Sequence, residues 1–422
     1  MTTRGRSRSI QLFTIAVVLI TLCGAGTLLG QSPRRVFVTS VEGTADLSTW
    51  PDSGGMGGLA GADAVCRARA QAAALGNSAG FVAWMSDSSN DAYCRIHGLS
   101  GLKSANCGQP SLPVAAGPWV RIDGFPFSGA IDRTLAPHQE VLSAVWFDEF
   151  GGRATRAYFT ATDEFGELSS QTPVTCSDWT ATPSEMVVVG DPERTAQSWT
   201  FMGTTLCSQQ RPLLCMEMGP STCLPPYQSG GAVAFVTSTD GNGNLGSWPE
   251  AGGASGIAAG DAICRTLAAN AGLDEPTSFK AWLSDSTTNA VNRLSYNGPW
   301  IRLDGVKIAD NKADLTSGDL WTSISIDEYG TYWHNHRGWT GTTSAGVDSG
   351  YNCVNWTDGS DSFEGTEAYI NAADDRWTDN FHRDCDSWWY HLYCFSEVPT
   401  YIFMDEFESG DTAGWPAIIP GP

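Results

Sequence analysis

One stretch of this chain occurs twice. DLSTWPDSGGMGGLAGADAVC (46–66) and NLGSWPEAGGASGIAAGDAIC (244–264) align without a gap at an offset of 198 positions. Whatever the sequence folds into, it folds into it two times. Later blocks keep the correspondence. FVAWMSDS (81–88) answers FKAWLSDS (279–286), and GPWVRIDG (117–124) answers GPWIRLDG (298–305) with the offset reduced to 181. FDEFG (147–151) matches IDEYG (326–330), and CSDWT (176–180) matches CVNWT (353–357). Trp199 lies eight residues before Cys207, and Trp377 eight before Cys385.

Each copy opens on a β-branched run, VFVTS (36–40) or VAFVTS (233–238), which reads as a strand. An alanine-rich helix is expected over 59–74 and 257–269, with Cys66 and Cys264 on its inward face. A second, shorter helix is expected near Ala136–Val141 or Thr316–Leu320. Closing strands carry Cys215 and Cys394. Glycine, asparagine and aspartate fill the long stretches between, so the fold class is a small α+β domain with a large loop region. The 17 tryptophans are read first as core volume for such a domain.

Of 12 cysteines, 11 follow the opening segment, in which Arg4, Arg6 and Arg8 precede an apolar run from Ile10 to Leu29. That pattern is an export signal or a membrane anchor; Leu22 makes a poor lipoprotein site of Cys23. Disulfides are therefore expected, and the localisation is secreted or cell envelope. Cys94 and Cys107 sit in an insertion that the second copy lacks, which marks them as a local pair. The other cysteines, four per copy, allow three connectivities. Cys223 is left over, and an intermolecular bridge is the use that parity suggests.

The chain carries 24 Lys and Arg against 46 Asp and Glu, a formal charge of −22. The excess is shared: 10 basic against 19 acidic residues over 36–219 gives −9, and 9 against 23 over 231–398 gives −14. Such surfaces repel nucleic acid, heparin-like polyanions and anionic lipid, and leave neutral glycans, proteins and divalent cations as partners. The only membrane contact expected is through the N-terminal segment.

The blocks GGxxGADAxC, KAWLSDS, GPWxRxDG, WTG, CxNWT and LYCF resemble a bacterial envelope domain of unknown function with a C-type-lectin-like, endostatin-like fold, in two tandem copies. The resemblance rests on Gly252, Gly253, Gly256, Gly260, Asp261, Ala262, Cys264, Trp282, Ser284, Asp285, Pro299, Asp304, Trp339, Thr340, Gly341, Cys353, Trp356, Trp377, Cys385 and Cys394 of the second copy. It spans 33–219 in a divergent copy and 231–398 in a clean one. It implies nested bridges, Cys66–Cys215 around Cys176–Cys207 and Cys264–Cys394 around Cys353–Cys385. The implied organisation is a signal or anchor at 1–30, the two domains, a Pro/Gly/Ser linker at 220–230 and an acidic tail at 399–422.

Calcium-dependent lectins of that fold use a Trp-Asn-Asp triplet before the third framework cysteine. The second copy reads Trp377-Thr378-Asp379-Asn380 there, and the first Trp199-Thr200-Phe201-Met202. A calcium site is accordingly expected, if anywhere, at Asp379 and Asn380 with Glu364, Glu367, Asp374 and Asp375, since the ion takes six to eight hard oxygens. The heparin-binding arginines of the endostatin fold have no counterpart. His334 and His336, two apart on a supposed strand, form a half-built zinc site that needs His382 or His391.

Asp148-Glu149 and Asp327-Glu328 are paired carboxylates of the kind a glycoside hydrolase uses, or else turns. No nucleophile elbow, HExxH, P-loop or dinucleotide fingerprint occurs. The loops of the second copy gather Tyr332, Trp333, Trp339, Tyr351, Asn352 and Asn355, a set suited to ligand binding. The expected function is that of an exported binding protein for a neutral glycan or protein, without catalysis. The alternatives are a structural envelope protein without ligand and a carboxylate-pair hydrolase.

Overall fold

A computed structural model describes residues 33–171, 174–221, 224 and 230–400. The segment 1–30 with Cys23, the odd cysteine Cys223 and the tail from Tyr401 onward lie outside the described residues. Among the described residues no helix is long and apolar enough to cross a membrane.

The opening strand of each half becomes the middle of a mixed five-stranded sheet. Arg34–Val38 runs parallel to Trp119–Arg121 and antiparallel to Leu214–Glu217, with Phe81–Ala83 and Pro126–Ser128 at the edges. Gly231–Val236 does the same with Trp300–Ile301 and Tyr393–Thr400, flanked by Lys280–Ala281 and Lys307–Ala309. Both central strands are apolar at successive positions because both faces are covered. Phe37 faces a layer with Val65, Cys66 and Ala70, while Val36 and Val38 face Trp84, Trp119 and Phe127 on the other side. Full burial of one such Phe or Val contributes about 1.5–3 kcal/mol.

The covering helices span Gly58–Ala72 and Ile257–Ala271. Ile263, Cys264, Leu267 and Ala268 form the inward stripe of the second, at the spacing a helix requires. Gly272 ends it at φ +73°, a left-handed position that glycine adopts without penalty. The sheet and helix are then joined covalently, Cys66 to Cys215 and Cys264 to Cys394. Phe37 and Phe235 stand directly opposite the two strand cysteines. The remaining bridges are Cys176–Cys207, Cys353–Cys385 and Cys94–Cys107.

The Ala-Asp-Ala and Gly-Asp-Ala motifs on these helices have a structural use. Asp261 accepts the amide of Ala281 at 3.0 Å and the guanidinium of Arg293, which also donates to the carbonyl of Ala281. Asp63, Ala83 and Arg95 repeat the arrangement in the first half. Each clamp locks the helix to an edge strand through a largely buried ion pair.

Loops dominate the rest, and tryptophans fix them. The indole of Trp50 donates to Thr44 O and that of Trp248 to Asn242 O. Trp119 and Trp300 donate to Glu217 O and Ser396 O, and Trp179 and Trp356 to Ser86 O and Ser284 O. Trp84 and Trp282 reach the hydroxyls of Thr200 and Thr378, both at 2.8 Å. Donor and acceptor correspond in the two halves every time. Thr378, expected from the resemblance to stand in a calcium-binding triplet, is one half of a buried indole–hydroxyl pair.

The short CSDW and CVNW segments are left-handed turns. Cys353, Val354, Asn355 and Trp356 have φ of 49°, 54°, 56° and 64°, and Cys176 to Trp179 match them. Four non-glycine residues in succession there cost about 1–2 kcal/mol each. The turn is held by its disulfide, by Asn352 Oδ1 accepting Asn355 N at 2.9 Å, and by Asn355 Oδ1 accepting Ser286 N at 3.0 Å. The expected second helices fall elsewhere, at Ile131–Thr134 and Lys312–Leu315. Pro137 removes a donor from the first expected segment. In the second, Asn311 caps a helix that starts earlier, accepting Asp314 N at 3.0 Å.

The halves meet through the same segment of each. Thr195 N donates to Asn371 O at 2.9 Å, and Ala373 N to Glu193 O at 3.0 Å. Residues 193 and 195 correspond to 371 and 373 at the offset of 178 that relates Cys207 to Cys385. The antiparallel bridge between them pairs Arg194 with Ala372, its own counterpart. The contact is therefore isologous, with a local twofold axis through that pair. Arg376 adds ion pairs to Asp191 and Glu193, and Thr322 Oγ1 donates to Leu142 O at 2.6 Å.

Replacing Asp261 by Ala strands Arg293 among carbonyls and is expected to cost about 3 kcal/mol, as is Asp63→Ala. Guanidinium denaturation measures it, and adding Arg293→Met to Asp261→Ala is expected to recover part of the loss.

Candidate functional site

The second half carries a small sheet in the order His382–Asp384, Glu364–Tyr369, Arg337–Trp339, Tyr390–His391. Its edge pair sets Glu364 opposite Asp384, Gly365 opposite Arg383 and Thr366 opposite His382. A groove of about 540 Å³ opens over this edge. Its sides include Tyr351, Asn352, the left-handed Cys353 and Val354, Phe363, and the carboxylates Asp361, Glu364 and Asp384. The Cys353–Cys385 bridge passes beneath, against Gly243 and Gly365. A Cβ on Gly243 would lie 2.3 Å from Cys353 Sγ, and one on Gly365 2.8 Å from it. A shallower depression of about 280 Å³ continues past Glu364 to Phe381, His382 and Arg383.

Large aromatics of this half stand in water, Phe363 and Phe381 on the walls of the two hollows and Trp388 and Trp389 on the following loop. Phe363 is 49% exposed, Phe381 58%, Trp388 61% and Trp389 72%. Tyr351 is also exposed and lies flat on His382, with ring centroids 3.8 Å apart at 14°. Trp388 and Trp389 sit on the loop that leaves Asp384 and Cys385. The first half has Glu185 and Gly203 in place of Phe363 and Phe381, and the single residue Gln210 where the second has Trp388 and Trp389, since Gly43 pairs with Arg211 as Gly241 pairs with Tyr390. Trp389 holds φ +81°, a strained backbone position for a bulky residue.

Of the six residues expected to bind a ligand, Tyr351 and Asn352 line the groove. Asn355 is spent on the left-handed turn. Trp339 is fully buried, stacked on Tyr390 at 4.1 Å with its indole bonded to Gly241 O, so it offers no face to a ligand. Tyr332 donates to Asp304 and Trp333 to Asp327, away from the groove. Phe363, Phe381, Trp388 and Trp389 escape a search for resemblance because they lie outside the shared blocks. The signal that finds them is the difference between copies: CDSWWYHLYC against CSQQRPLLC.

The six expected calcium ligands do not meet. Glu367 is buried and taken by Tyr390, Asn380, Arg337 and Arg383. Asp374 pairs with Arg376 at the contact between halves, and Asp379 accepts Ser344 N. Glu364 faces the groove, and Asp375 is exposed at the start of a short turn. Among the described residues no group of three or more His, Cys, Asp or Glu side chains is arranged to hold a metal ion.

The histidines are likewise rearranged. His334 and His336 are on irregular backbone, with Asn335 at φ +51° between them, rather than on a strand. His391 Nδ1 lies 2.7 Å from Thr237 O and so carries a hydrogen, leaving Nε2 to accept from His336 Nδ1 at 3.0 Å. His382 is occupied by Tyr351. Burial pushes both His391 and His334 down to about 4.

The paired carboxylates close turns. Asp327 Oδ1 accepts Tyr329 N and Thr331 N at 2.9 Å, and Glu328 accepts the amide and hydroxyl of Ser238. Asp148 and Glu149 do the same with Phe150, Gly152 and Ser40. Comparison with known proteins returns no matching family model and no matching curated protein.

Two outcomes follow from the local physics. Val354→Asn, exposed and left-handed, is expected to raise stability by about 1 kcal/mol, because asparagine tolerates that backbone better than a β-branched residue; equilibrium denaturation reads it. His391 is expected to titrate near 4 by NMR. It is neutral when folded and charged when unfolded below about 6.5. Its contribution to stability is therefore intact above that pH, falls between about 6.5 and 4, and then levels off. A midpoint above 6 would mean that the ring is open to water.

Proposed function

We propose that the chain is an exported binding protein built from two C-type-lectin-like units, with recognition carried by the second. The observation that bears the weight is one-sided: Phe363, Phe381, Trp388 and Trp389 stand exposed in the second half, where the first has Glu185, Gly203 and the single residue Gln210. Exposed aromatics gathered beside a groove cost solubility and mark contact surfaces. Tyr and Trp bring large rigid area to such contacts at little entropic cost.

The nested bridges, tying an early helix to a closing strand around an inner loop bridge, support the fold assignment. Five disulfides support an oxidising compartment. The formal charge of −22 disfavours polyanionic partners, and a protein or neutral glycan remains. In this reading the first half serves as a mount, fixed to the second by the isologous contact.

The test is loss of binding without loss of fold. The full chain is presented to an array of neutral glycans and to peptide libraries, beside a Trp388→Ser/Trp389→Ser variant. An aromatic pair at the centre of a contact is worth about 2 kcal/mol or more, so the variant is expected to lose at least about tenfold in affinity. Its Tm is expected to stay within about 2 °C, because both side chains are exposed. Ligands retained at full affinity by the variant would place recognition elsewhere.

A further inference from the structure

The groove walled by Tyr351 and Phe363 has a charge that no ion pair among the described residues answers. We infer that it takes a cationic group, the ammonium or guanidinium of a basic segment on a partner protein. This rests on the reading of the second half as the recognition unit and names the chemistry of what it recognises.

The groove joins aromatic walls to an acidic rim. Tyr351 and Phe363 supply ring faces, and Tyr351 is held flat by its stack on His382. Asp361, Glu364 and Asp384 supply carboxylates, and no Lys, Arg or His lines the hollow with them. All three are exposed, and none forms an ion pair among the described residues. Arg383 lies next to Asp384 in sequence, but alternation along the strand sends it to the other face, where it meets Glu367 at 3.4 Å.

The strand register adds an independent argument. Glu364 and Asp384 are direct cross-strand partners, so their side chains stand on the same face of the edge pair. Like charges placed that way repel, and at the contact between halves the neighbouring acids Asp191, Glu193 and Asp374 are bridged by Arg376. A cation lying between Glu364 and Asp384 would turn a repulsion into two attractions. Aromatic faces beside it add a cation–π contribution, as in sites that enclose ammonium groups. A neutral sugar gains the ring contact but leaves the two carboxylates opposed. A basic peptide satisfies both, which is why a protein partner is favoured over a glycan.

The experiment uses the full chain and a capped octa-lysine peptide, with the fully acetylated peptide and a neutral hexasaccharide as controls. Two charge-matched variants separate the groove from the general field of an acidic protein: Glu364→Gln/Asp384→Asn in the groove, and Asp274→Asn/Glu275→Gln on an exposed loop away from it. Titration calorimetry is expected to show octa-lysine binding that weakens about tenfold or more in the groove variant and less than twofold in the loop variant. The acetylated peptide is expected not to bind. Equal losses in both variants, no octa-lysine binding, or undiminished binding of the acetylated peptide would overturn the inference. A neutral ligand that depends on Trp388 and Trp389 but not on Glu364 and Asp384 would also overturn it, while leaving the broader binding function standing.

Discussion

The bond from a buried indole N–H to a loop oxygen is what this fold depends on most. Long stretches of the chain have no ladder to satisfy their carbonyls, and a buried carbonyl without a partner costs free energy. Tryptophan brings the largest apolar volume of any side chain together with a single donor, so it can fill a core and fasten a loop in one act. Trp50, Trp84 and Trp179 do this in the first half, and Trp248, Trp282 and Trp356 at the matching positions of the second, while Trp119 and Trp300 bond to the closing strands. The acceptors correspond as closely as the donors. Disulfides then secure what the indoles position, joining helix to strand and loop to loop.

That division of labour explains what the sequence could and could not disclose. The central strands and the two long helices were legible because period, β-branching and alanine content all agreed. The inward cysteine of each helix was legible from its place on the apolar stripe. The short helices were misplaced because four-residue turns are set by a local cap, such as Asn311, and by Pro137, which outweigh propensity. Asp261 stood out as a motif residue, but its use as a clamp on Arg293 depends on a contact 32 residues away that no local pattern encodes.

The site was only half legible. Tyr351 and Asn352 could be picked out as loop residues of a binding type, yet Trp339, of the same type, is core. Burial separates Trp339 from Tyr351, and it depends on the packing of Tyr390 against Trp339, which the chain settles only in three dimensions. The carboxylates expected to gather around calcium are dispersed by arginines, Arg376 drawing Asp374 to the contact between halves and Arg337 and Arg383 holding Glu367. Resemblance directs attention to what the halves share. The candidate surface lies in what they do not share.

The contact through Arg194 and Ala372 has a further consequence. In a homodimer joined this way, any change to the surface would appear at both ends, and the assembly would engage an array of targets two at a time. Here the self-complementary patch is consumed inside one chain, so each end is free to differ, and only one end has Trp388 and Trp389. The molecule is thereby polar in the geometric sense, with one end that carries exposed tryptophans and one that does not. Under the proposed binding function, recognition would therefore be single-handed, with no gain in avidity from the internal symmetry.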